Sequence, residues 1–321
     1  MTLKKLLMII PALVLLLILL LFVLKPQNVV EMAKPHPDGV EEQFYENGNL
    51  RLQTPYLNGQ RNGIVKNFYP DGTLKSEAEF VNGIQTGETK TYYENGKPEK
   101  IFTYKNDKLN GPAKAFSREG YLEAETFFTD NVQSGKETAY YPNGKVRYVF
   151  EIGAKGQING KLREYYENGN LKTETSYVDG LADGLEQSYY ENGEIYQITP
   201  YINNHYDGVQ RTYAPDRSLV SEISFAKGKL EGKAVYYYAN QQIKQESNFH
   251  DNAREGDYKL YSPDGKLLIQ ATFHNDKLEG EMFVYEEDGE LKKVNKFHEG
   301  VLISPASEET AEANSAEIAK E

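Results

Sequence analysis

The 321-residue sequence contains no cysteine and no tryptophan, and only five histidines. Without cysteine there is no disulfide, no thiolate metal site, no thiol nucleophile and no lipid-modified cysteine. This absence leaves the redox compartment open, because an exported protein need not contain disulfides. Basic residues are a minority, since 36 Lys and Arg stand against 48 Asp and Glu and give a formal net charge of −12. An acidic chain repels phosphate backbones, so we expect no nucleic-acid partner.

The N-terminal region contains one long apolar run. Residues 6–24 carry no charge, and Lys4 and Lys5 precede them. As a helix the run would span roughly 28 Å, close to the thickness of a bilayer core. Acidic residues such as Glu31 and Asp38 follow the run, so the positive-inside rule places residues 1–5 in the cytoplasm. We expect a transmembrane signal anchor at 6–24 and a proline-containing stalk at 25–38. The repeats would then lie on the extracytoplasmic side of the cytoplasmic (inner) membrane of a bacterium.

A cleaved signal peptide is the alternative reading of this run. Its apolar part should be about 7–15 residues long and should end in a small-residue cleavage site. The run here is longer, and the sequence Val23-Leu24-Lys25-Pro26 offers no such site. Both observations favour the uncleaved anchor.

The rest of the chain is a tandem repeat. A glycine recurs every 24 residues, with one spacing of 25, at Gly39, Gly63, Gly87, Gly111, Gly135, Gly160, Gly184, Gly208, Gly232, Gly256 and Gly280. Five residues later stands a first aromatic, such as Phe44, and then a turn such as Glu46-Asn47-Gly48. An apolar turn residue such as Leu50 and a second aromatic such as Tyr56 follow. This order predicts eleven β-hairpin repeats over residues 39–303.

The turn type follows from which residues should share a face. A two-residue Asn-Gly loop would pair Tyr45 with Leu50, whereas a three-residue loop with a left-handed Gly pairs Phe44 with Leu50. We prefer the second loop, because strand alternation is then expected to place Phe44, Leu50 and Tyr56 on one face. Arg217 and Gln241 replace the turn glycine in two repeats and put the local turn geometry there in question.

A second connection joins each hairpin to the next. Only Gly, Asn or Asp stands four residues before each following repeat glycine, as at Gly59, Asp107 and Asn131. These residues tolerate a positive φ best. The chain is therefore predicted to be all-β, an elongated antiparallel meander of about 22 strands. Residues 304–321 are acidic and lack aromatics, so we expect a disordered tail.

The repeat resembles the bacterial variant of the MORN repeat, most fully over Tyr165-Tyr166-Glu167-Asn168-Gly169-Asn170-Leu171-Lys172-Thr173-Glu174. The resemblance covers about residues 39–303. It implies an elongated, twisted antiparallel sheet and an interaction or lipid-associated module, and some bacterial members are labelled antitoxins. The matching residues are scaffold residues, so the resemblance bears on fold more than on function.

Neither histidines nor carboxylates form a convincing chemical site. His250, His274 and His298 recur at the repeat spacing, which places them about 10 Å apart, too far to share one metal ion. Glu77, Glu125, Glu174, Glu222 and Glu246 recur at one position, which we assign to a solvated face opposite the aromatics. We therefore expect no enzyme, no catalytic or metal-binding residues, no cofactor and no small-molecule substrate.

Seven repeats carry a tyrosine directly before the turn. We name these residues the tyrosine ladder: Tyr45, Tyr69, Tyr93, Tyr141, Tyr166, Tyr190 and Tyr238. Stacked tyrosines stabilise a sheet, and exposed tyrosines in a row also make a good contact surface. The sequence thus favours a membrane-anchored, non-catalytic scaffold that binds a protein partner along its sheet. The alternative is an antitoxin-like protein that neutralises a toxin, although an export anchor argues against it.

Overall fold

The structure is a computed structural model that describes residues 36–153 and 156–305. Every regular element in this part of the chain is a β-strand. The strands β1 to β25 are, in order, Gly39–Phe44, Leu50–Leu57, Gln60–Arg61, Gly63–Phe68, Leu74–Val81, Ile84–Tyr92, Pro98–Lys105, Lys108–Phe116, Leu122–Thr129, Val132–Tyr140, Val146–Ile152, Gly160–Tyr165, Leu171–Val178, Leu181–Tyr189, Ile195–Ile202, His205–Tyr206, Gly208–Tyr213, Leu219–Ala226, Lys229–Tyr237, Ile243–His250, Ala253–Tyr261, Leu267–His274, Lys277–Tyr285, Leu291–His298 and Val301–Pro305.

The strands form one sheet in which each strand pairs antiparallel with its neighbour in sequence. The meander predicted from the repeat is therefore confirmed, with 25 strands instead of about 22. One additional strand is β25, which follows the eleventh hairpin. It includes Ser304 and Pro305, which lie beyond the predicted end of the repeats. The other two, β3 and β16, are two-residue pieces at the start of longer strands.

Two prolines explain these short pieces. Pro55 and Pro200 occupy the same position in their repeats, and neither has an N–H for the ladder. Asn62 N–H donates to the Pro55 carbonyl (3.0 Å), and Asp207 N–H donates to the Pro200 carbonyl (3.1 Å). The regular pairing resumes only beyond these bonds, so one strand is divided into two.

The hairpin turn is the predicted three-residue loop. Phe44 pairs with Leu50, Tyr45 N–H donates to the Asn49 carbonyl (2.8 Å), and Gly48 has a φ of 85°. Arg217 and Gln241 adopt the same left-handed conformation, with φ of 70° and 67°. The turn is thus kept where glycine is missing, because the pairing on both sides holds the backbone in place.

The loops between hairpins also agree with the prediction. Their glycine, asparagine or aspartate residues have positive φ, for example 76° at Gly59, 61° at Asp107 and 70° at Asn131. The N–H of this residue donates to a carbonyl at the start of its own repeat, as from Gly83 to Arg61 (2.8 Å) and from Gly300 to Leu278 (2.9 Å).

The expectation that both aromatics share a face is wrong. Tyr56 pairs with Gly39, and the register then advances regularly to the pair Gln43 and Leu52. The next pair is Phe44 with Leu50, so Arg51 is an extra residue, a β-bulge beside the turn. Phe44 lies five residues from Gly39 along an unbroken strand, which places it on the face opposite Tyr56. The turn was inferred correctly, but the bulge that reverses the alternation was not.

The face that bears the second aromatics, here named the packed face, holds most of the buried side chains. Its two largest clusters comprise Phe150, Ile152, Leu162, Tyr177, Ala182 and Tyr201, and Leu109, Ala113 and Phe128. Residues opposite each other across a hairpin are often one large and one small, as in Leu162 with Thr175 and Tyr258 with Ala271. The core is therefore a row of cross-strand contacts rather than one globular cluster.

The described residues contain no helix long and apolar enough to cross a membrane. The predicted anchor at 6–24 lies outside the described residues, as do residues 1–5, most of the stalk and residues 306–321 of the tail.

Replacing Gly111 by alanine should destabilise the sheet more than replacing Gly39. Both glycines have a strongly positive φ, 127° and 134°. A Cβ at Gly111 would lie 3.0 Å from the Thr103 Cβ, whereas a Cβ at Gly39 meets nothing within 4 Å. We expect Gly111→Ala to lower the free energy of unfolding by about 1–3 kcal/mol. Gly39→Ala retains only the conformational strain, so equal losses in urea denaturation would contradict this account.

Candidate interaction surfaces

The tyrosine ladder links each repeat to the next. Every one of its seven hydroxyls donates to the backbone carbonyl of the first aromatic in the following repeat. The bonds are Tyr45 to Phe68 (2.7 Å), Tyr69 to Tyr92 (2.8 Å), Tyr93 to Phe116 (2.9 Å), Tyr141 to Tyr165 (2.8 Å), Tyr166 to Tyr189 (2.7 Å), Tyr190 to Tyr213 (2.9 Å) and Tyr238 to Tyr261 (2.8 Å). The hydroxyl that a partner would contact is already engaged.

The ladder rings are half-buried, and four of them lie under a cation. Nζ of Lys75 is 5.4 Å from the Tyr69 ring centroid, and Nζ of Lys172 is 5.9 Å from that of Tyr166. Arg118 lies over Tyr93 and Lys244 over Tyr238 in the same way. Burial raises the pKa of Tyr69 and Tyr93. The hydrogen bonds of the hydroxyls and the cations over the rings indicate that the ladder stabilises the sheet. Binding of a partner by the ladder stays a prediction.

The recurring glutamates lie on the same face as the first aromatics, here named the charged face. This corrects their predicted placement opposite the aromatics and follows from the same bulge. Four of them accept a hydrogen bond from the first aromatic of the next repeat: Glu77 from Tyr92 (2.8 Å), Glu125 from Tyr140 (2.7 Å), Glu222 from Tyr237 (3.0 Å) and Glu246 from Tyr261 (3.2 Å).

Cations from the adjacent strand complete this arrangement. Lys114 lies 3.0 Å from Glu125, and Arg211 lies 2.8 Å from Glu222. The hydrogen bond from Tyr140, followed by Lys114, lowers the pKa of Glu125. Burial, followed by Glu77, raises the pKa of Tyr92 to about 12. Each of these four carboxylates thus has a structural partner in the adjacent strand.

The three recurring histidines each form a separate pair with a glutamate. Nδ1 lies 3.0 Å from Glu231 at His250, 2.9 Å from Glu255 at His274 and 2.9 Å from Glu279 at His298. The hydrogen bond to Glu231 raises the pKa of His250. Within the described residues, no group of three or more His, Asp or Glu side chains is placed to hold a metal ion.

One buried acid was missed from the sequence. Glu137 lies on the packed face and is 2% exposed. Gln133 Nε2 donates to its carboxylate, and Tyr148 is its other hydrogen-bond partner. Burial raises the pKa of Glu137 to about 7. The repeat alignment gives a partial signal, because Leu162, Ala113 and Ala234 occupy this position in three other repeats, whereas Glu41 and Glu186 occupy it in two.

Exposed aliphatic side chains follow the loop edge of the charged face. They stand beside five of the loops between hairpins, and in two of these loops they form cross-strand pairs, Val81 with Ile84 and Val178 with Leu181. We name this set the aliphatic strip: Leu57, Val81, Ile84, Val132, Val178, Leu181 and Ile202. Exposed apolar side chains arranged in a row are typical of protein contact surfaces.

These observations define a tandem β-hairpin repeat protein. The chain belongs to the MORN repeat variant family, whose sequence model matches residues 37–58, 61–82, 85–106, 133–150, 158–179, 182–203, 230–251 and 254–275. The matches together make up more than half of the chain. The three repeats left unmatched have the same strand pairing as the others. No curated protein sequence matches the chain.

Solved structures of Tc toxin components show a weak similarity. A crystal structure of TcdB2-TccC3 is 12% identical with a TM-score of 0.20 and covers 83% of this chain and 15% of that chain. Its complex with Cdc42 has 12% identity and a TM-score of 0.20, with coverages of 80% and 14%. A Tc holotoxin pore from Photorhabdus luminescens has 12% identity and a TM-score of 0.19, with coverages of 83% and 15%. The chain thus spans about one seventh of their length.

Replacing Tyr166 by phenylalanine should destabilise the array. The change removes the hydrogen bond to the Tyr189 carbonyl and keeps the ring, so the free energy of unfolding should fall by about 1 kcal/mol. Tyr236 is an exposed tyrosine whose hydroxyl has no hydrogen-bond partner within the described residues, so Tyr236→Phe is the matched control. Equal urea midpoints for the two variants would refute the structural task of the ladder.

Replacing Glu137 by glutamine should change how stability depends on pH. Because folding raises this pKa from 4.5 to about 7, the folded state keeps a proton that the unfolded state releases. The contribution of Glu137 to the free energy of unfolding is fully present below pH 4.5. It is lost as pH rises through about 7, and the loss is about 3 kcal/mol at most.

Glu137→Gln should therefore be more stable than the natural chain at pH 8 and show a flatter profile in urea denaturation. Glu125 has a lowered pKa, so its contribution is instead lost as pH falls through that pKa, and Glu125→Gln should show the opposite change. An unchanged profile for Glu137→Gln would contradict the buried acid.

Proposed function

We propose that this chain is a non-catalytic scaffold, held at the bacterial cytoplasmic membrane by residues 6–24, whose sheet binds a protein partner. The aliphatic strip carries this proposal. It is an exposed apolar surface that the repeat does not require for its own folding, since polar residues such as Lys105 and Lys108 occupy the same positions in another repeat.

The repeat geometry supports a binding role in preference to catalysis. Equivalent side chains in neighbouring repeats stand about 10 Å apart, which produces ladders instead of convergent groups. The glutamates, histidines and ladder tyrosines are each engaged by a structural partner in an adjacent strand. A partner that lies across the strands would instead meet aliphatic side chains from pairs of neighbouring repeats, such as Leu57 with Val81 and Val178 with Ile202.

The test uses the full chain in membranes of its host. Val178→Asp with Leu181→Asp places two charges on the strip without touching the packed face. We expect the variant to lose partners that the natural chain captures by cross-linking, because each buried charge opposes apolar contact. The matched control is Lys105→Asp with Lys108→Asp, a pair at the same positions that is already polar.

Loss of the same partners in both variants would point to charge or folding and not to the strip. Capture that is unchanged by the first variant would overturn the proposed surface. Circular dichroism of both variants checks that the sheet is retained.

A further inference from the structure

The first and last strands of the sheet, β1 and β25, are each only part of a full-length first strand, and the two parts are complementary. Inside the array the first strand of a repeat is usually nine residues long, as in β19, Lys229–Tyr237. The last strand, β25, holds only the five residues at the loop end of such a strand. The first strand, β1, holds only the six residues at the turn end. Within the described residues β25 pairs with Asn295–His298 of β24, and the turn half of β24, Leu291–Val294, pairs only with β23.

We propose that a second copy of this chain pairs with this open half of β24, so that β1 of one copy pairs with Leu291–Val294 of another. β25 of the first copy and β1 of the second would then lie end to end beside β24, in one strand position that is here named the row. The sheet would then continue from one molecule into the next. This proposal concerns association between copies and does not rest on the partner-binding function above.

The register of the joint follows from the interior of the array. The same pairing occurs at all ten junctions between repeats. The residue before a first aromatic pairs with the residue two places after the apolar residue that follows the preceding turn, such as Leu50. The pairs are Leu52–Asn67, Ser76–Thr91, Lys100–Ala115, Ala124–Ala139, Tyr148–Glu164, Thr173–Ser188, Gln197–Thr212, Ser221–Tyr236, Gln245–Leu260 and Ile269–Val284. The same rule pairs Lys293 of one copy with Gln43 of the next. Ser304 and Pro305 pair with Lys296 and Asn295, the places that this register gives to Val40 and Glu41, so these last residues of β25 would leave the row.

The loop hydrogen bonds continue through the same joint. In the interior, a loop N–H donates to the second residue of the strand that opens its repeat, as Gly300 does to Leu278 (2.9 Å). Leu302 is the next acceptor in this series, and Gly59 is its first donor position. Neither makes this bond within the described residues. End-to-end pairing brings the two together.

The most exposed apolar side chains are also at the two ends. Among the large hydrophobic residues of the described chain, Val301 is 65% exposed, Val40 is 58% exposed, and Phe44 and Ile303 are each 56% exposed. First aromatics in the following repeats are half-buried, because the preceding repeat covers them. A second copy would supply the repeat that Phe44 lacks.

The charges of the two edges select this joint over others. β1 carries Glu41 and Glu42, and the turn half of β24 carries the exposed Lys292 and Lys293. Two β1 edges would repel each other, whereas β1 beside β24 brings opposite charges together. The contact uses different surfaces on its two sides, so it builds a chain of molecules or a ring.

Cysteine cross-linking tests the joint, because the natural sequence contains no cysteine. Full-length Gln43→Cys and Lys293→Cys chains are mixed in detergent and oxidised gently. Paired residues in an antiparallel sheet have Cα atoms about 4.5–5.5 Å apart, within reach of a disulfide. We expect a two-chain product from the mixture and little from either variant alone.

The matched control is Gln245→Cys mixed with Gln43→Cys. Gln245 occupies the same repeat position as Lys293, but its row is already filled by Leu260. We expect about tenfold less product from this pair. Equal yields from the two mixtures would overturn the proposal.

Charge reversal provides a second measurement, made by sedimentation of the full chain in detergent. Glu41→Lys with Glu42→Lys should weaken association about tenfold, and adding Lys292→Glu with Lys293→Glu should restore it. Association that is equally strong in the natural chain and in both variants would overturn the proposal. Association that occurs only after removal of residues 306–321 would also overturn it, since the chain's own tail would then fill the row.

Discussion

The junction between one repeat and the next is the interaction on which the structure depends. An isolated two-stranded hairpin is marginal in water, because it cannot bury enough apolar surface to offset the entropy of ordering the chain. Here each hairpin is held by its neighbour through the backbone ladder and through the tyrosine ladder. Asparagines of the turns add a further bond, as from Asn47 Nδ2 to the Pro70 carbonyl (2.7 Å). Stability therefore resides in contacts between nearest neighbours.

A β-bulge in each hairpin divides the side chains between two unlike faces. The packed face receives the second aromatics and small residues such as Ala113 and Thr126. The charged face receives the first aromatics together with glutamates and lysines, which form hydrogen bonds and ion pairs with one another. Residues that recur are thus accounted for by folding. The side chains that do not recur regularly include the aliphatic strip and those at the two ends of the sheet.

The two ends of the sheet differ from its interior because, among the described residues, their strands lack a neighbour on one side. Each interior strand satisfies its neighbours on both sides, whereas β1 and β25 leave part of a row open. Many sheet proteins protect such edges with charge or proline, and here Glu41, Glu42 and Pro305 stand at these places. The opposite charges of the two edges permit one kind of pairing and oppose the others.

The repeat period, the turn type, the loop residues with positive φ and the antiparallel meander were all readable from the sequence. Each depends on backbone conformation within a few residues, as at Gly48 and Gly59, and eleven copies of the pattern reinforce it. The strand divisions at Pro55 and Pro200 have an equally local cause, the missing N–H, although they were not anticipated.

What only the tertiary structure decided is where side chains meet across strands. The bulge at Arg51 reverses the alternation, and a pattern of apolar positions does not show on which strand the extra residue falls. The hydroxyl bond of Tyr166 joins residues 23 apart in sequence, and the burial of Glu137 depends on Gln133 and Tyr148 from neighbouring positions in the sheet. The sequence by itself therefore determined the path of the backbone, because that path is governed locally. Which face each aromatic occupies, and which polar groups are satisfied, was decided by register between strands.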